Sequence, residues 1–92
     1  STLDFHSDVV ATAKRDLNAG EMLDGEGGFT VYGKLMPASK SLAVGGFPIG
    51  LAHRVKLTNK IKRDQPITWA DVDIDRSTEA VITRQAMEAL YR

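Results

Sequence analysis

Residues 9–23 read VVATAKRDLNAGEML, and the rest of the chain can be interpreted from this segment outward. Its β-branched start favours a half-buried strand. A polar corner at Lys14–Asp16 follows, and then one apolar anchor, Leu17. Gly20 comes next, where glycine readily takes the positive φ that many turns need. Leu23 then returns an apolar side chain, so the segment predicts a strand, a corner, a buried anchor, a glycine turn and re-entry into the core.

The same pattern returns once, in residues 59–67, which read NKIKRDQPI. Ile61 and Ile67 take the places of the anchor Leu17 and of the re-entry residue, each 44 residues later. Asp64 falls at the position of the turn glycine, and aspartate tolerates left-handed backbone geometry. A solenoid needs several copies of a repeat. We therefore expect two related corners folded around one core.

The composition predicts one soluble globular domain. The chain has 92 residues, of which 42% are hydrophobic and 26% are charged, and disorder needs fewer apolar residues or a larger net charge. Twelve basic and twelve acidic residues give zero net charge, so no global field favours nucleic acid or an anionic membrane. Cysteine is absent, which excludes disulfides, thiolate catalysis and cysteine-ligated metal sites.

Targeting signals are not evident in the sequence. No apolar run approaches the roughly 20 residues that a membrane span needs. The start, STLDFHSD, lacks the positive charge and apolar middle of a signal peptide. We therefore predict a cytoplasmic location, with neither membrane nor nucleic acid as a partner.

Short strand patterns recur along the chain. Phe29–Gly33 is rich in β-branched and aromatic residues, and His53–Thr58 alternates basic and apolar side chains. Val72 and Ile74 alternate with acids in the same way. Leu42–Val44 fits either another short strand or a turn of helix.

The hydrophobic period changes near the C-terminus. Ser77 is a candidate N-cap, and Glu79 in the first turn complements the positive end of the helix dipole. An apolar stripe with the i, i+4, i+7, i+8 spacing of a helix follows, formed by Ile82, Ala86, Ala89 and Leu90. We predict a lead-in over residues 1–7, a body over 8–75 and a helix over 76–92. The helix packs either on this domain or on something outside the chain.

Ordered motifs across residues 8–72 resemble the SAF domain family. They are DVVA at 8–11, DLxxGExL at 16–23, GFP at 46–48, RV at 54–55 and KIxxxxPIxxxDV at 60–72. The family includes type III antifreeze proteins, the C-terminal domain of sialic acid synthases and part of altronate-type dehydratases. The resemblance implies a mainly β, β-clip fold, in which short strands and hairpins surround a pseudo-two-fold axis. The C-terminal α-helix is added to it.

A narrower resemblance implies a context. The segments at 9–33, 48–61 and 83–92 look like the C-terminal part of homoserine-dehydrogenase-like, NAD(P)-dependent oxidoreductases. In those proteins an SAF domain follows the nucleotide-binding and catalytic parts. This chain has no Gly-x-Gly-x-x-Gly after a strand and no room for a Rossmann unit. The resemblance therefore implies a non-catalytic accessory domain, whose partners are the catalytic domain of its parent and further copies in a homo-oligomer. It also implies that NAD(P) binds elsewhere in the parent.

The candidate ligand-binding residues are the two imidazoles and two cations of the one basic run: His6, His53, Arg54 and Lys56. On a regular strand Arg54 and Lys56 share a face, which suits a small anion such as a sugar acid or phosphate. A solvated face balanced by nearby acids explains the same charges more simply. In sialic acid synthases the resemblance implies an arginine where this chain has His6-Ser7, and imidazole cannot make the bidentate clamp of a guanidinium.

Reactive centres are not predicted. His6, Ser7 and Asp8 are neighbours in sequence, whereas a catalytic triad is set by spatial geometry. The two histidines lack the ligand spacing of a metal site. The glycine-rich segment Asp24–Gly28 fits a plain hairpin loop better than a phosphate cradle, because no P-loop lysine follows. We predict no catalytic, cofactor-binding or metal-binding residue in this chain.

Three functions remain open at this point. The first is an accessory SAF domain of an oxidoreductase, which makes a subunit contact or covers an active site. The second is a free-standing module that binds a small anion or sugar acid. The third is the SAF part of an altronate-type dehydratase.

Overall fold

Five short strands, two α-helices and two 3-10 helices form the regular structure of the domain over residues 5–92. A computed structural model describes residues 5–92. In chain order its elements are β1 (Ser7–Ala13), β2 (Met22–Asp24), β3 (Val31–Pro37), α1 (Ala38–Val44), a 3-10 helix (Ile49–Leu51), β4 (His53–Leu57), a second 3-10 helix (Trp69–Asp71), β5 (Val72–Asp73) and α2 (Glu79–Leu90).

The strands form two antiparallel sheets. β1 pairs with β3 along its whole length, from Ser7 opposite Pro37 to Ala13 opposite Val31. β4 lies between β2 and β5 in the second sheet. Two sheets of short strands with a C-terminal helix confirm the predicted mainly β class.

The two predicted corners meet each other at their anchors. The Leu17 amide donates to the Ile61 carbonyl at 2.8 Å, and the Ile61 amide donates back to the Leu17 carbonyl at 3.0 Å. Both side chains are buried. The pair is thus a reciprocal bridge between the two corners, as a two-fold relation between them requires.

The hydrogen bonds around this bridge repeat under the same exchange. Gly20 donates to the Leu57 carbonyl at 2.7 Å, and Asp64 donates to the Ala13 carbonyl at 2.8 Å. Asp64 follows Gly20, and Leu57 follows Ala13, by the same 44 residues, so exchanging the two halves converts one bond into the other. Gly20 and Asp64 also share positive φ, +91° and +66°. The pseudo-two-fold is therefore present in the backbone.

The core lies between the sheets and the corners. Phe47 is fully buried and meets Trp69 edge to face, with ring centroids 5.0 Å apart. Around it pack the buried residues Ala11, Ala13, Leu17, Leu23, Val31, Ala52, Val55, Leu57, Ile61, Ile67 and Val72. Both re-entry residues, Leu23 and Ile67, belong to this core, as their repeat positions predict.

The strand predicted at Phe29–Gly33 begins later than expected. β3 begins at Val31 and continues to Pro37, whereas Phe29 lies in a bend before the strand and is 83% exposed. The reason is the Asp24 carboxylate, which accepts the amide hydrogens of Phe29 and Thr30 at 2.7 and 3.0 Å. Those amides are therefore unavailable to a sheet ladder. Of the two alternatives for Leu42–Val44, the structure has the helix, since these residues end α1.

The C-terminal helix turns its predicted apolar stripe outward. α2 is capped by Thr78, whose side chain accepts the Val81 amide, whereas the predicted cap Ser77 bonds to Asp75 instead. Ile82 and Leu90 are 54% and 69% exposed, and Ala86 and Ala89 are exposed too. Of the two alternatives for the helix, the structure has packing on this domain, through Val81 and Glu88, while the apolar stripe stays largely exposed.

Candidate functional site

The structure separates the four predicted ligand-binding residues. His6 precedes β1, in the two-stranded sheet, and its carbonyl accepts the Ala38 amide at 3.0 Å. His53, Arg54 and Lys56 lie on β4, in the three-stranded sheet. His6 thus adjoins one sheet, and the other three residues lie on the other sheet.

Arg54 sits at a break in β4. Leu23 pairs with Val55 and Asp24 pairs with His53, so Arg54 is the extra residue of a bulge. Its φ is +58°, in the left-handed region that non-glycine residues seldom occupy. Regular alternation holds from Val55 onward and is interrupted at Arg54, so the predicted shared face of Arg54 and Lys56 does not follow from strand geometry.

Arg54 borders a cleft of about 340 Å³. The cleft lies between the start of β4, the residues after β5 and the beginning of α2, and its lining includes His53, Asp73, Asp75 and Thr78. Lys56 lies outside this lining; its Cα partner across the sheet is Asp73. The cleft therefore brings two of the predicted residues together with two acids.

The charged groups of the cleft differ in their partners. Within residues 5–92, neither the Arg54 guanidinium nor the Asp73 carboxylate has a hydrogen bond or an ion pair. The Asp75 carboxylate accepts from the Ser77 hydroxyl at 2.6 Å and from the Ser77 amide at 2.9 Å. These bonds, the hydroxyl first, hold the pKa of Asp75 below its ordinary value. Asp75 is therefore ionised at neutral pH, facing the same cleft as an unpaired cation.

Hydrogen bonds to Asp24, its first residue, hold the glycine-rich loop after β2 together. The Asp24 carboxylate accepts from the amides of Phe29 and Thr30 and from the Thr30 hydroxyl. These bonds, the Phe29 amide first, lower the pKa of Asp24 to about 2. Lys14 Nζ holds the other side of the loop by donating to the Gly28 carbonyl at 2.6 Å. The Asp24 carboxylate thus occupies the two amides that directly follow the glycine-rich segment.

A buried ion cluster that the sequence interpretation missed attaches α2 to the body. Arg84 donates to Asp8 at 2.5 Å and to Glu88 at 2.7 Å, and both carboxylates are buried. Glu88 also accepts from Trp69 Nε1 at 3.2 Å, and Asp8 accepts from the Ser41 hydroxyl at 2.5 Å. The i, i+4 spacing of Arg84 and Glu88 was the available signal. Its partner Asp8 lies 76 residues away, beyond any local pattern.

The polar atoms of the ion cluster are paired with one another. Burial would raise the pKa of Asp8, but the hydrogen bonds from Arg84 and Ser41, together with the charge of Arg84, lower it. In the part of the chain that the structure describes, no buried side-chain polar atom lacks a hydrogen-bond partner. The arrangement therefore positions α2.

A search against family models matches the SAF domain over residues 8–73. The chain belongs to the SAF domain family. The SAF match ends before α2, so the helix is outside the matched region. A search of curated proteins gives no match.

Metal-binding clusters and membrane-spanning helices are both absent from the described residues. Residues 5–92 contain no group of three or more His, Cys, Asp or Glu side chains that could hold a metal ion. None of the helices in these residues has the length and apolar character to cross a membrane. Membership of the SAF family supports a role as an accessory or binding module.

Proposed function

We propose that this SAF domain is a non-catalytic accessory domain of a larger enzyme and docks on the catalytic part of a neighbouring subunit through the outer face of α2. The observation that carries the proposal is the exposed stripe on that face. Ile82 and Leu90 stand more than half exposed, one on either side of the small Ala86 and Ala89. Exposed apolar patches on a folded domain mark contact surfaces.

The orientation of α2 supports the proposal. A helix that packed only by hydrophobicity would bury Ile82 and Leu90. Here the buried side carries Val81, Arg84 and Glu88 instead, and the ion cluster with Asp8 keeps it there. Burying a leucine or isoleucine that is now exposed is worth about 1.5–3 kcal/mol. Because Ile82 and Leu90 are 54% and 69% exposed, a partner that covers the stripe gains roughly half to two thirds of that energy at each residue.

The parent that fits best is an NAD(P)-dependent oxidoreductase of the homoserine-dehydrogenase-like type. The support is the ordered likeness of the segments at 9–33, 48–61 and 83–92. In such a parent NAD(P) binds outside this chain, and the SAF domain contributes a subunit contact in a homo-oligomer. The sequence encoded upstream of Ser1 tests this part. A reading frame that begins at this domain, with no nucleotide-binding unit before it, contradicts the oxidoreductase context.

The docking surface has its own test in the full-length parent. Replacing both Ile82 and Leu90 by glutamate places charges in the proposed contact and should weaken it. We expect dissociation or a lower sedimentation coefficient in analytical ultracentrifugation, with the melting temperature of the SAF domain unchanged. The matched control is Lys62→Glu, at an exposed position in the second corner. Full assembly of the double variant overturns the docking proposal.

A second candidate function rests on a different observation. Arg54 lies at a bulge next to His53 and borders a cleft, and its guanidinium has no hydrogen bond or ion pair within residues 5–92. This supports a module that binds a small anion, such as a sugar acid, with Lys56 contributing long-range charge; an altronate-type dehydratase is one setting for it. Titration with D-gluconate, followed by amide NMR, should shift the signals of residues 53–55. No shift at millimolar gluconate removes the sugar-acid candidate.

A further inference from the structure

The cleft beside Arg54 carries charges of both signs. Arg54 supplies a cation, and Asp73 and Asp75 supply two carboxylates to the same lining. We propose that this cleft binds a small zwitterion, an α-amino acid, with its carboxylate on Arg54 and its ammonium group between Asp73 and Asp75. The proposal rests on the small-ligand site named as the second candidate function, and it changes the class of ligand.

The backbone of Arg54 is the first argument. A left-handed non-glycine residue is strained, and such residues cluster at ligand-binding and other functional sites. Bulges commonly redirect a side chain next to a binding site. Glycine would take φ of +58° without strain, yet the position carries the side chain best suited to a carboxylate. The unpaired state of its guanidinium within residues 5–92 leaves that geometry available.

The acids are the second argument. A ligand with only negative charge would meet the repulsion of Asp73 and Asp75 as soon as it reached Arg54. Asp75 is held ionised by Ser77, and Asp73 has no ion pair in the described residues. An ammonium group turns both repulsions into attractions. The charge pattern therefore favours a zwitterion over a sugar acid.

The size of the cleft is the third argument. Its volume of about 340 Å³ lies at the lower end of ligand pockets, which span about 300–1,000 Å³. Such a space accommodates an amino acid with a short side chain. Leu51, Ile74 and Val81 give the lining an apolar portion that a short aliphatic side chain can contact. Because the charged groups are exposed, we expect weak affinity, with a dissociation constant of about 1–10 mM.

The test uses four probes on one 15N-labelled sample. L-alanine carries both charges, N-acetyl-L-alanine only the carboxylate and L-alaninamide only the ammonium group, while D-gluconate is a hydroxylated anion. We expect L-alanine to shift the amide signals of residues 53–55 and 73–75. Each singly charged probe should bind at least about tenfold more weakly, because each loses one set of ion pairs.

Variants locate the effect. Arg54→Gly should weaken L-alanine binding by about tenfold or more. It should also preserve or raise the melting temperature, because it relieves the left-handed strain. Asp75→Asn should weaken L-alanine binding but not the binding of N-acetyl-L-alanine. Lys62→Ala, an exposed cation outside the cleft, is the matched control and should leave binding unchanged.

The outcomes separate the two proposals. Equal or tighter binding of N-acetyl-L-alanine or D-gluconate than of L-alanine overturns the zwitterion and leaves the anion site intact. The absence of shifts with all four probes at about 50 mM overturns both. Shifts with L-alanine that persist unchanged in Arg54→Gly also overturn the assignment, since the ligand would then bind elsewhere.

Discussion

The Leu17 corner and the Ile61 corner use the same backbone and different side chains. Each anchor bonds to the other, and each turn donates its amide to the opposite half. At the turn, however, the first corner has Gly20, whereas the second has Asp64. The comparison shows that the fold requires a positive φ at both positions, and only one of them has the residue that adopts it without strain.

The residue after each turn shows a second difference. Glu21 accepts the Asn18 amide on its carboxylate at 2.7 Å, and Gln65 accepts the Lys62 amide on its side-chain oxygen at 3.2 Å. The neutral side-chain amide oxygen of Gln65 therefore accepts the hydrogen bond that the carboxylate of Glu21 accepts in the other corner. The corner needs an acceptor at this position but not a charge. The charge of Glu21 has a separate use, an ion pair with Arg15 at 2.8 Å.

Truncation of the anchors should have the largest effect. Leu17→Ala and Ile61→Ala each leave a cavity at the bridge, and each should lower the free energy of unfolding by about 3 kcal/mol. The double variant should cost less than the sum, because the two side chains share one packing environment. Urea denaturation of the two single variants and the double variant measures this. A loss below about 1 kcal/mol at either anchor would show that the corners are not equivalent.

Substitutions at the two turn residues, Gly20 and Asp64, should change the free energy of unfolding in opposite directions. Gly20→Ala places a Cβ at φ of +91° and should destabilise the domain by about 1–2 kcal/mol, although the Cβ meets no other atom. Asp64→Gly relieves strain but loses the hydrogen bond from the Tyr32 hydroxyl, so a gain of at most about 1 kcal/mol is expected. Thermal melts of both variants test the pair. A destabilising Asp64→Gly would mean that its side chain matters more than its backbone.

The smallest effect concerns pH. The hydrogen bond from Arg15, followed by that from the Asn18 amide, lowers the pKa of Glu21 in the folded state. A lowered folded pKa means that the stabilisation is present above the ordinary glutamate range and is lost as the pH falls through the folded value. Glu21→Gln should remove this dependence, and Gln65→Glu should add one of the same sign. Urea midpoints at neutral and acidic pH measure it, and identical pH profiles for wild type and Glu21→Gln would contradict the assignment.

The corners could be predicted because their information is local. An anchor, a turn residue and a re-entry residue at fixed spacing specify the same backbone twice, and burial of Leu17 and Ile61 follows. The strand of residues 53–57 could be predicted for the same reason, from its alternation. Membership of the SAF family agrees with this pattern over residues 8–73.

The orientation of α2 and the bulge at Arg54 depend on residues far away in the chain. Hydrophobicity alone would place the apolar stripe that contains Ile82 against the core. Arg84, however, binds Asp8 near the other end of the sequence, and this ion pair sets which face of the helix packs on the domain. The alternation around Arg54 continues undisturbed in the sequence, so nothing local indicates the shift of register. The hydrogen bonds from the Phe29 and Thr30 amides to the Asp24 carboxylate likewise form only in the folded loop.

Native-state hydrogen exchange at Leu17 and Ile61 tests the central claim most directly. Because each amide donates to the other residue's carbonyl inside the core, neither can open without the other. We predict that both amides exchange only through global unfolding, with equal free energies of opening that match the urea-derived stability. If one of the two amides exchanges about 100-fold faster than the other, a difference of about 2.7 kcal/mol, the corners open independently and the two-fold account of this domain is wrong.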